Sequence, residues 1–129
     1  MNNVVLAPAA KQLELLRTGE ISVTELAGAH IRQIERLNPS LNAFADFDAE
    51  RVLAEARRLD ASQDARGPLF GLPVTVKSSI ATAGLRCEIG SLLHKGEIPA
   101  EDAVVVARLR AAGALILGTT NCPRVSDGL

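Results

Sequence analysis

The sequence has no Trp, no Tyr and only three Phe among 129 residues, and its charges nearly cancel, with 14 Lys and Arg against 15 Asp and Glu. Proteins that bind nucleic acids usually concentrate Lys and Arg on one face. Those that bind single strands also stack bases on aromatic side chains. Because both features are lacking, the composition predicts that nucleic acid is not a partner.

Long apolar runs are lacking as well. The run at residues 112–117 is among the longest, and it falls far below the ~20 residues that a membrane-spanning helix needs. Residues 1–11 have neither the basic start nor the long apolar stretch of a signal peptide. The sequence therefore predicts a cytoplasmic protein without a membrane partner.

Metal-ligating side chains are few and badly spaced. Cys87 and Cys122 form no CxxC motif, and His30 and His94 do not form a pair on one helix face. This spacing does not indicate a zinc site. In a cytosolic protein both thiols are expected to be free, and a disulfide between them is the alternative.

Two helices are indicated near the N-terminus. Residues 8–18 carry leucines at helical spacing, and Gly19 is suited to end that helix in a left-handed conformation. Ser22 and Glu25 have the spacing of a capping box, which predicts the start of a second helix. We expect this helix to stop before Pro39, because proline disfavours the helical conformation of the preceding residue.

A third helix follows after a short connection. Residues 41–47 are interpreted as that connection. Residues 49–62 carry apolar side chains on one face and charged side chains on the other, which is typical of a helix at the surface of a core. Residues 1–63 are therefore predicted to be helical.

The second half of the chain has the pattern of a βαβ unit. A glycine- and proline-rich turn leads into a predicted strand at residues 74–77, and residues 81–97 contain glycines that favour a loop. Asp102 is expected to cap a helix that ends at Gly113. Residues 114–117 are wholly apolar, as in a strand that is covered on both faces of a parallel sheet.

These elements predict the α/β class, with N-terminal helices packed on the start of a mixed sheet. A chain of this length normally forms one compact unit. We therefore expect a single unit over residues 1–129, helical in 1–63 and βαβ-like with glycine-rich loops in 64–129.

Lys77 is the most informative candidate for chemistry. Val74 and Val76 point to one face of the predicted strand, so Lys77 stands on the other face at the carboxyl end, where open α/β sheets place their ligand crevices. A lysine amine that is removed from water gives up its proton more readily and then acts as a general base. We expect a central strand and an amine directed into a crevice beside hydroxyl groups; the alternative is an ion pair with a carboxylate such as Glu88 or Asp102.

Other residues are weaker candidates for a chemical role. Ser78 and Ser79 follow Lys77 and suggest a Ser–Lys dyad, but serines at a strand end more often satisfy the N–H groups of a turn. His30 lies on the apolar face of a helix and is interpreted as a core histidine rather than a base. The run at 118–121 lacks the spacing of a phosphate loop and is interpreted as a turn.

Several segments resemble, in order, the N-terminal part of the amidase signature family. The resemblance covers nearly the whole chain. The segments are Asn38-Pro39 with Leu41-Asn42-Ala43-Phe44, then Gly67-Pro68-Leu69-Phe70-Gly71-Leu72-Pro73-Val74-Thr75-Val76-Lys77, then Gly90-Ser91, then residues 102–114, and finally Gly118-Thr119-Thr120-Asn121.

The resemblance implies the opening part of the amidase signature fold and a hydrolase of carboxamide C–N bonds. That family uses a Ser nucleophile, a second Ser held by a cis peptide, and a Lys base. Lys77 matches the catalytic Lys, and the Gly/Ser-rich stretch that carries both serines has no match in these 129 residues. The implied substrate is a small-molecule amide, with no metal or organic cofactor.

The chain also departs from the family pattern. Ser78 stands where the family usually has an acidic residue, and Cys87-Glu88 stand where it has Thr-Thr. Thr119 occupies a position that is commonly Lys, and Arg124 one that is commonly Glu. These differences predict altered local support for Lys77.

Two alternatives to a hydrolase follow from the same residues. The chain is either a truncated, inactive amidase-like module for binding or assembly, or an amidotransferase-related subunit that needs a partner. Because the strands at 74–77 and 114–117 leave sheet edges uncovered, we also expect self-association or capture of a complementary chain. By itself the chain is predicted to be inactive.

Overall fold

The computed structural model describes residues 4–63, 66–87 and 98–121. In these ranges the chain belongs to the α/β class, as predicted, with helices packed on a small mixed sheet. None of the helices described there is both long and apolar enough to cross a membrane. The elements, in chain order, are a 3-10 helix at Val4–Leu6, α1 (Ala9–Thr18), α2 (Val23–Leu41), β1 (Phe44–Phe47), α3 (Ala49–Ala61), β2 (Pro73–Lys77), α4 (Val104–Ala111) and β3 (Leu115–Thr120).

The first three helices have the end signals that their sequence encodes. α1 ends where Gly19 adopts a φ of 79°, a left-handed conformation that favours glycine. α2 begins with the predicted capping box, in which the Ser22 hydroxyl accepts the Glu25 N–H at 2.9 Å and the Glu25 carboxylate accepts the Ser22 N–H at 2.9 Å. The Asp48 carboxylate caps α3 by accepting the Glu50 N–H at 3.0 Å.

α2 runs further than predicted. It continues through Pro39 to Leu41 and ends at Asn42, which has a φ of 50°. The expectation of a stop before Pro39 is therefore wrong. The proline lies in the last turn, where its missing N–H removes only one helical bond, and the Asn38 side chain secures the exit by accepting the Ala43 N–H at 2.8 Å.

The segment interpreted as a connection contains strand β1. Phe44 lies opposite Thr120 and Phe47 opposite Gly118, in an antiparallel pairing with β3. Four residues are too few to show a clear alternation, and the partner lies near the other end of the sequence. The local pattern at 41–47 therefore did not indicate the strand.

The sheet has the order β1-β3-β2, and the parallel pair β2 and β3, joined through α4, confirms the predicted βαβ unit. In the described part of the chain β3 is central and β2 is an edge strand. Val74 pairs with Ile116 whereas Thr75 pairs with Gly118, so Leu117 is an extra residue that forms a bulge in β3. The bulge sets the register of the carboxyl ends of both strands.

β3 separates two hydrophobic cores. Leu115 and Leu117 face the N-terminal helices, whereas Ile116 faces α4, as the alternation of side chains along a strand requires. The second core has the buried residues Val76, Leu85, Val106 and Ile116, and the first has Val4, Leu16, Ile21, Val23, Leu26, Ala27, Ile31, Val52, Ala56, Leu59, Leu115 and Leu117.

α4 begins without the predicted cap. Its N-cap residue is Ala103, which makes no side-chain capping bond. The Asp102 carboxylate instead accepts the Ala83 N–H at 2.7 Å and the Arg110 Nε–H at 2.9 Å. The expectation that Asp102 caps α4 is therefore wrong, because this carboxylate ties the preceding loop to the last turn of the helix.

Candidate functional site

Lys77 ends strand β2 and lies opposite Thr120 of β3. Val76 is buried in the second core, whereas Thr75 and Lys77 are exposed on the other face, so the predicted alternation is confirmed. The expectation of a central strand is wrong for the described sheet, since β2 lies at its edge. Lys77 is accordingly exposed rather than enclosed in a crevice.

The chain turns immediately after Lys77. The Lys77 carbonyl accepts the Ile80 N–H at 2.9 Å, and the Ser78 N–H donates to the Thr120 carbonyl at 2.8 Å. These two bonds fix the carboxyl end of β2 against the end of β3. The position of Lys77 is therefore set by backbone hydrogen bonds on both sides of the residue.

Several hydroxyl groups lie at this end of the sheet. Thr120 is opposite Lys77, and Thr119, which is fully buried, is opposite Val76. Ser78 is fully buried and Ser79 half-buried. Because Ser78 is enclosed while Lys77 is exposed, the two side chains occupy different environments, which does not favour a dyad between them.

A charged pair that the sequence did not indicate holds the following loop on β1. The Asp46 carboxylate accepts the Arg86 N–H at 2.9 Å and lies 3.8 Å from the Arg51 guanidinium. The Arg86 side chain also donates to the Ala45 carbonyl. The one available signal was a lone acidic residue in the otherwise apolar segment 44–47.

The Asp46–Arg86 pair lies near the carboxyl end of β3, where Asp46 is opposite Thr119. The Thr119 hydroxyl lies 3.5 Å from the Arg86 carbonyl oxygen, so the loop held by Asp46 also contacts the end of β3. Asp46 on β1 and Lys77 on β2 therefore lie at the same end of the sheet, on either side of β3.

Two carboxylates, those of Glu88 and Asp102, were considered as ion-pair partners of Lys77. Asp102 interacts with Arg110 instead, at 2.9 Å between Nε and the carboxylate oxygen. Glu88 lies outside the described residues. The ion-pair interpretation is therefore not supported for Asp102.

The remaining candidates have structural roles. His30 is half-buried, its Nε2 lies 3.0 Å from the Gln12 side-chain oxygen, and burial lowers the pKa of its imidazole. Residues 118–120 belong to β3, so the interpretation of 118–121 as a turn is wrong for most of the run. Asn121 follows and donates its N–H to the Ala43 carbonyl at 2.9 Å, which extends the contact with the start of β1.

A groove of about 590 Å³ lies away from this site, beside α1. Leu13 and Arg17 line it from the helix, and Arg66 and Phe70 line it from the segment before β2. The Arg66 guanidinium lies 4.3 Å from the centre of the Phe70 ring, a cation–π contact. Lys77 does not line this groove.

Comparison with known proteins relates this geometry to amidases. The family model described as Amidase matches residues 25–128. A glutamyl-tRNA(Gln) amidotransferase subunit from Thermus thermophilus is 46% identical over 110 residues, which is 85% of this chain and 22% of the relative. An acylamidase of Rhodococcus erythropolis is 39% identical over 118 residues, or 89% of this chain and 25% of the relative.

A similar solved structure is the native peptide amidase of Stenotrophomonas maltophilia. It superposes with a TM-score of 0.79 at 35% identity, over 89% of this chain and 24% of that one. The chain thus spans about a quarter of the length of the curated relatives that it matches.

Proposed function

Because this chain belongs to the amidase family, we propose that it forms the lysine-bearing part of an amidase-type hydrolase that cleaves carboxamide C–N bonds. The observation that carries the proposal is the place of Lys77, at the carboxyl end of β2 beside the hydroxyl-bearing end of β3. The resemblance of the segment 67–77 to the family motif assigns Lys77 the role of general base.

In the reaction that we propose, the neutral Lys77 amine takes a proton from a serine held by a cis peptide. That serine deprotonates the nucleophilic serine, whose oxygen bonds to the amide carbon. The C–N bond then breaks, the amine leaves with a proton, and water hydrolyses the acyl-enzyme. No residue of the 129 matches either serine, so this chain supplies only the base.

The exposure of Lys77 is consistent with a site that is still incomplete. A lysine acts as a base at neutral pH when its amine is removed from water, and the described residues leave Lys77 exposed. We propose that polypeptide equivalent to the unmatched three quarters of the relatives covers it and supplies the serines and oxyanion donors. The isolated 129 residues should then be inactive.

A second candidate is an amidotransferase-type subunit that works with a partner chain. Several relatives of this chain are subunits of glutamyl-tRNA(Gln) amidotransferases, which favours this alternative. Both candidates use Lys77 in the same role and differ in the fate of the nitrogen that leaves when the C–N bond breaks: a hydrolase releases it, and an amidotransferase passes it to an acceptor. An inactive module for binding or assembly is the third possibility, and it alone gives Lys77 no chemical role.

The first experiment uses the chain as it is. A panel of amide and ester substrates should give no turnover, because removing even one oxyanion donor costs ~10²–10³ in kcat in a hydrolase. Turnover that is lost in Lys77→Ala, together with acylation of Ser78 or Ser79 detected by mass spectrometry, would contradict the proposal and establish a local dyad.

The second experiment tests Lys77 within a complete site. In a chimera, this chain replaces the matching quarter of the Stenotrophomonas maltophilia peptide amidase, and hydrolysis of a peptide amide is measured. Lys77→Ala should lower kcat by roughly 10²–10⁴-fold, the usual contribution of a general base.

The control is Lys11→Ala, which removes an exposed lysine on α1 whose ammonium lies 3.9 Å from Glu14. It should leave kcat within about two-fold, as expected for a surface ion pair. A folded chimera that keeps its activity in Lys77→Ala would argue against the base assignment, and a folded but inactive chimera would favour the inactive module.

A further inference from the structure

The turn at residues 77–83, which begins with Lys77, is held by a carboxylate from another part of the chain. Asp102 stands just before α4, and its Oδ1 oxygen accepts the Ala83 N–H at 2.7 Å. Its Oδ2 oxygen accepts the Arg110 Nε–H at 2.9 Å, and 15% of the Asp102 side chain is exposed. The bond to Ala83 therefore has a charged acceptor that is mostly shielded from water, and bonds of this kind are about twice as strong as neutral ones.

Hydrogen bonds connect Ala83 with the backbone of Lys77. Thr82, the neighbour of Ala83, is fully buried, and its hydroxyl donates to the Ile80 carbonyl at 3.3 Å. The Ile80 N–H in turn donates to the Lys77 carbonyl at 2.9 Å. The turn thus has Lys77 at its start and the contact with Asp102 at its end.

A second contact attaches the 77–83 turn at a different point. The Ala103 N–H donates to the Ala81 carbonyl at 2.8 Å. This bond is made by the main chain, so it does not depend on the Asp102 side chain. One attachment point lets a segment rotate, whereas two fix its orientation. The Asp102 carboxylate and the main chain together therefore fix how the turn sits on the start of α4.

We propose that Asp102 is a positioning residue for Lys77 and acts through the 77–83 turn. The inference rests on the proposed function, in which the Lys77 amine takes a proton from a serine. Such a transfer needs the two heavy atoms within roughly 3 Å of each other. A displacement of ~1 Å caused by a distant substitution can cost ~10²-fold in rate. Asp102 acts at a distance from the amine, because the Lys77 side chain lies on the face of β2 opposite to α4.

A purely structural role for Asp102 makes a different demand on its side chain. In that case the ion pair with Arg110 matters, because it ties the start of α4 to the last turn of that helix. Asp102→Asn separates the two roles, since asparagine keeps an oxygen that accepts the Ala83 N–H but loses the charge that pairs with Arg110. Positioning predicts that asparagine replaces Asp102 well, and an ion-pair role predicts that it does not.

The first measurement uses the chimera with the Stenotrophomonas maltophilia peptide amidase, at a temperature at which circular dichroism shows each variant folded. Asp102→Ala should lower kcat by roughly 10- to 100-fold and leave KM within about two-fold, because proton transfer is misaligned while substrate binding is unaffected. Asp102→Asn should keep most of the kcat of the unsubstituted chimera. The matched control is Glu55→Ala, which removes a carboxylate that likewise accepts an arginine Nε–H at 2.9 Å, from Arg58 on α3. It should leave kcat within about two-fold.

The second measurement needs no activity and uses the 129-residue chain itself. Amide hydrogen exchange followed by NMR should be roughly 10- to 100-fold faster at Ala83 in Asp102→Ala, because the charged acceptor is lost. Exchange at Ile80 should also become faster, although Asp102 is not the partner of that N–H, because the turn loosens as a unit. The Leu115 N–H, which donates to the Leu72 carbonyl at 2.8 Å, is the internal reference and should not change.

The two measurements separate failure of this inference from failure of the proposed function. A chimera that keeps its activity in Lys77→Ala, or that has none, contradicts the proposed function, and exchange at Ile80 then decides whether Asp102 holds the turn that carries Lys77. If activity requires Lys77, an unchanged kcat in Asp102→Ala, or an equal loss in Asp102→Asn, would overturn the inference. Exchange at Ile80 that is the same in Asp102→Ala as in the unsubstituted chain would overturn it as well.

Discussion

The core between β3 and the N-terminal helices is more completely closed than the core between β3 and α4. Among the described residues the first holds twelve buried side chains and the second holds four. On the first side, three helices pack together over one face of the sheet. On the second side a single helix does so, and it leaves Val104 and Val105 exposed to 68% and 53%.

The ends of the helices differ in the same direction. α2 and α3 start with side-chain caps from Ser22 and Asp48, whereas α4 has none. α2 and α3 are therefore supported both by their side-chain caps and by packing, whereas α1 starts without a side-chain cap. α4 and β2 depend on contacts made across the sheet, and Lys77 lies at the carboxyl end of β2.

The largest effect is expected from two neighbours on β3 that face different cores. Leu115→Ala should cost about 2–5 kcal/mol, as is typical of a buried leucine. Ile116→Ala should cost about 2 kcal/mol, at the lower end of that range, because its core has fewer buried neighbours. Urea unfolding followed by circular dichroism measures both, and equal or reversed costs would contradict the comparison.

The next effect concerns the close approach of β1 to β3. A Cβ at Gly118 would lie 2.3 Å from the Asp46 carbonyl oxygen, so Gly118→Ala must displace β1 and should cost about 1–3 kcal/mol. The control is Gly28→Ala inside α2, where the nearest atom, Arg32 Nη1, is 3.5 Å away.

Gly28→Ala should stabilise the chain by about 0.5–1 kcal/mol through helix propensity. Thermal unfolding of the Gly118→Ala and Gly28→Ala variants measures both effects. A stabilising Gly118→Ala would mean that β1 does not approach β3 as described.

The smallest effect concerns the tie between α2 and α3. The Asp60 carboxylate accepts the N–H groups of Val23 and Thr24, both at 2.9 Å, and the Thr24 hydroxyl at 2.6 Å. It thus serves as a cap for α2 that is supplied from α3. Asp60→Ala should cost about 0.5–2 kcal/mol, as for other N-terminal caps.

This tie should also depend on pH. Burial raises the pKa of the Asp60 carboxyl. The hydrogen bonds from Thr24 and Val23 and the charge of Arg66 together lower it by more, so the pKa lies below its ordinary value of 3.8. The contribution to stability is therefore present above pH 3.8 and is lost as the pH falls through the lower pKa of the folded state. Unfolding curves of Asp60→Asn should lack this acid-dependent part, and an unchanged pH profile would argue against the tie.

The helices and the parallel strand pair were predictable because their signals are local. The capping box of Ser22 and Glu25 and the left-handed Gly19 lie within a few residues of the structure that they specify. The alternation from Val74 to Lys77 likewise indicated the face on which Lys77 lies. The resemblance to amidases added the role proposed for Lys77, which no local pattern supplies.

The features that were missed depend on partners distant in the sequence. β1 exists because it pairs with β3, and Asp102 leaves the helix start because Ala83 and Arg110 offer it bonds. The hydrogen bond between the Arg86 N–H and the Asp46 carboxylate joins two segments that are 40 residues apart in the sequence.

The sequence alone determined the α/β class, the first three helices, the βαβ unit and the candidate lysine, because hydrophobic periodicity and capping act within one element. Only the tertiary structure decided which strand is central in the described sheet and how far Lys77 is exposed within the described residues. Those properties follow from the order of the strands and from a one-residue bulge at Leu117. Strand order arises from packing between elements, which the spacing of residues along the chain does not encode.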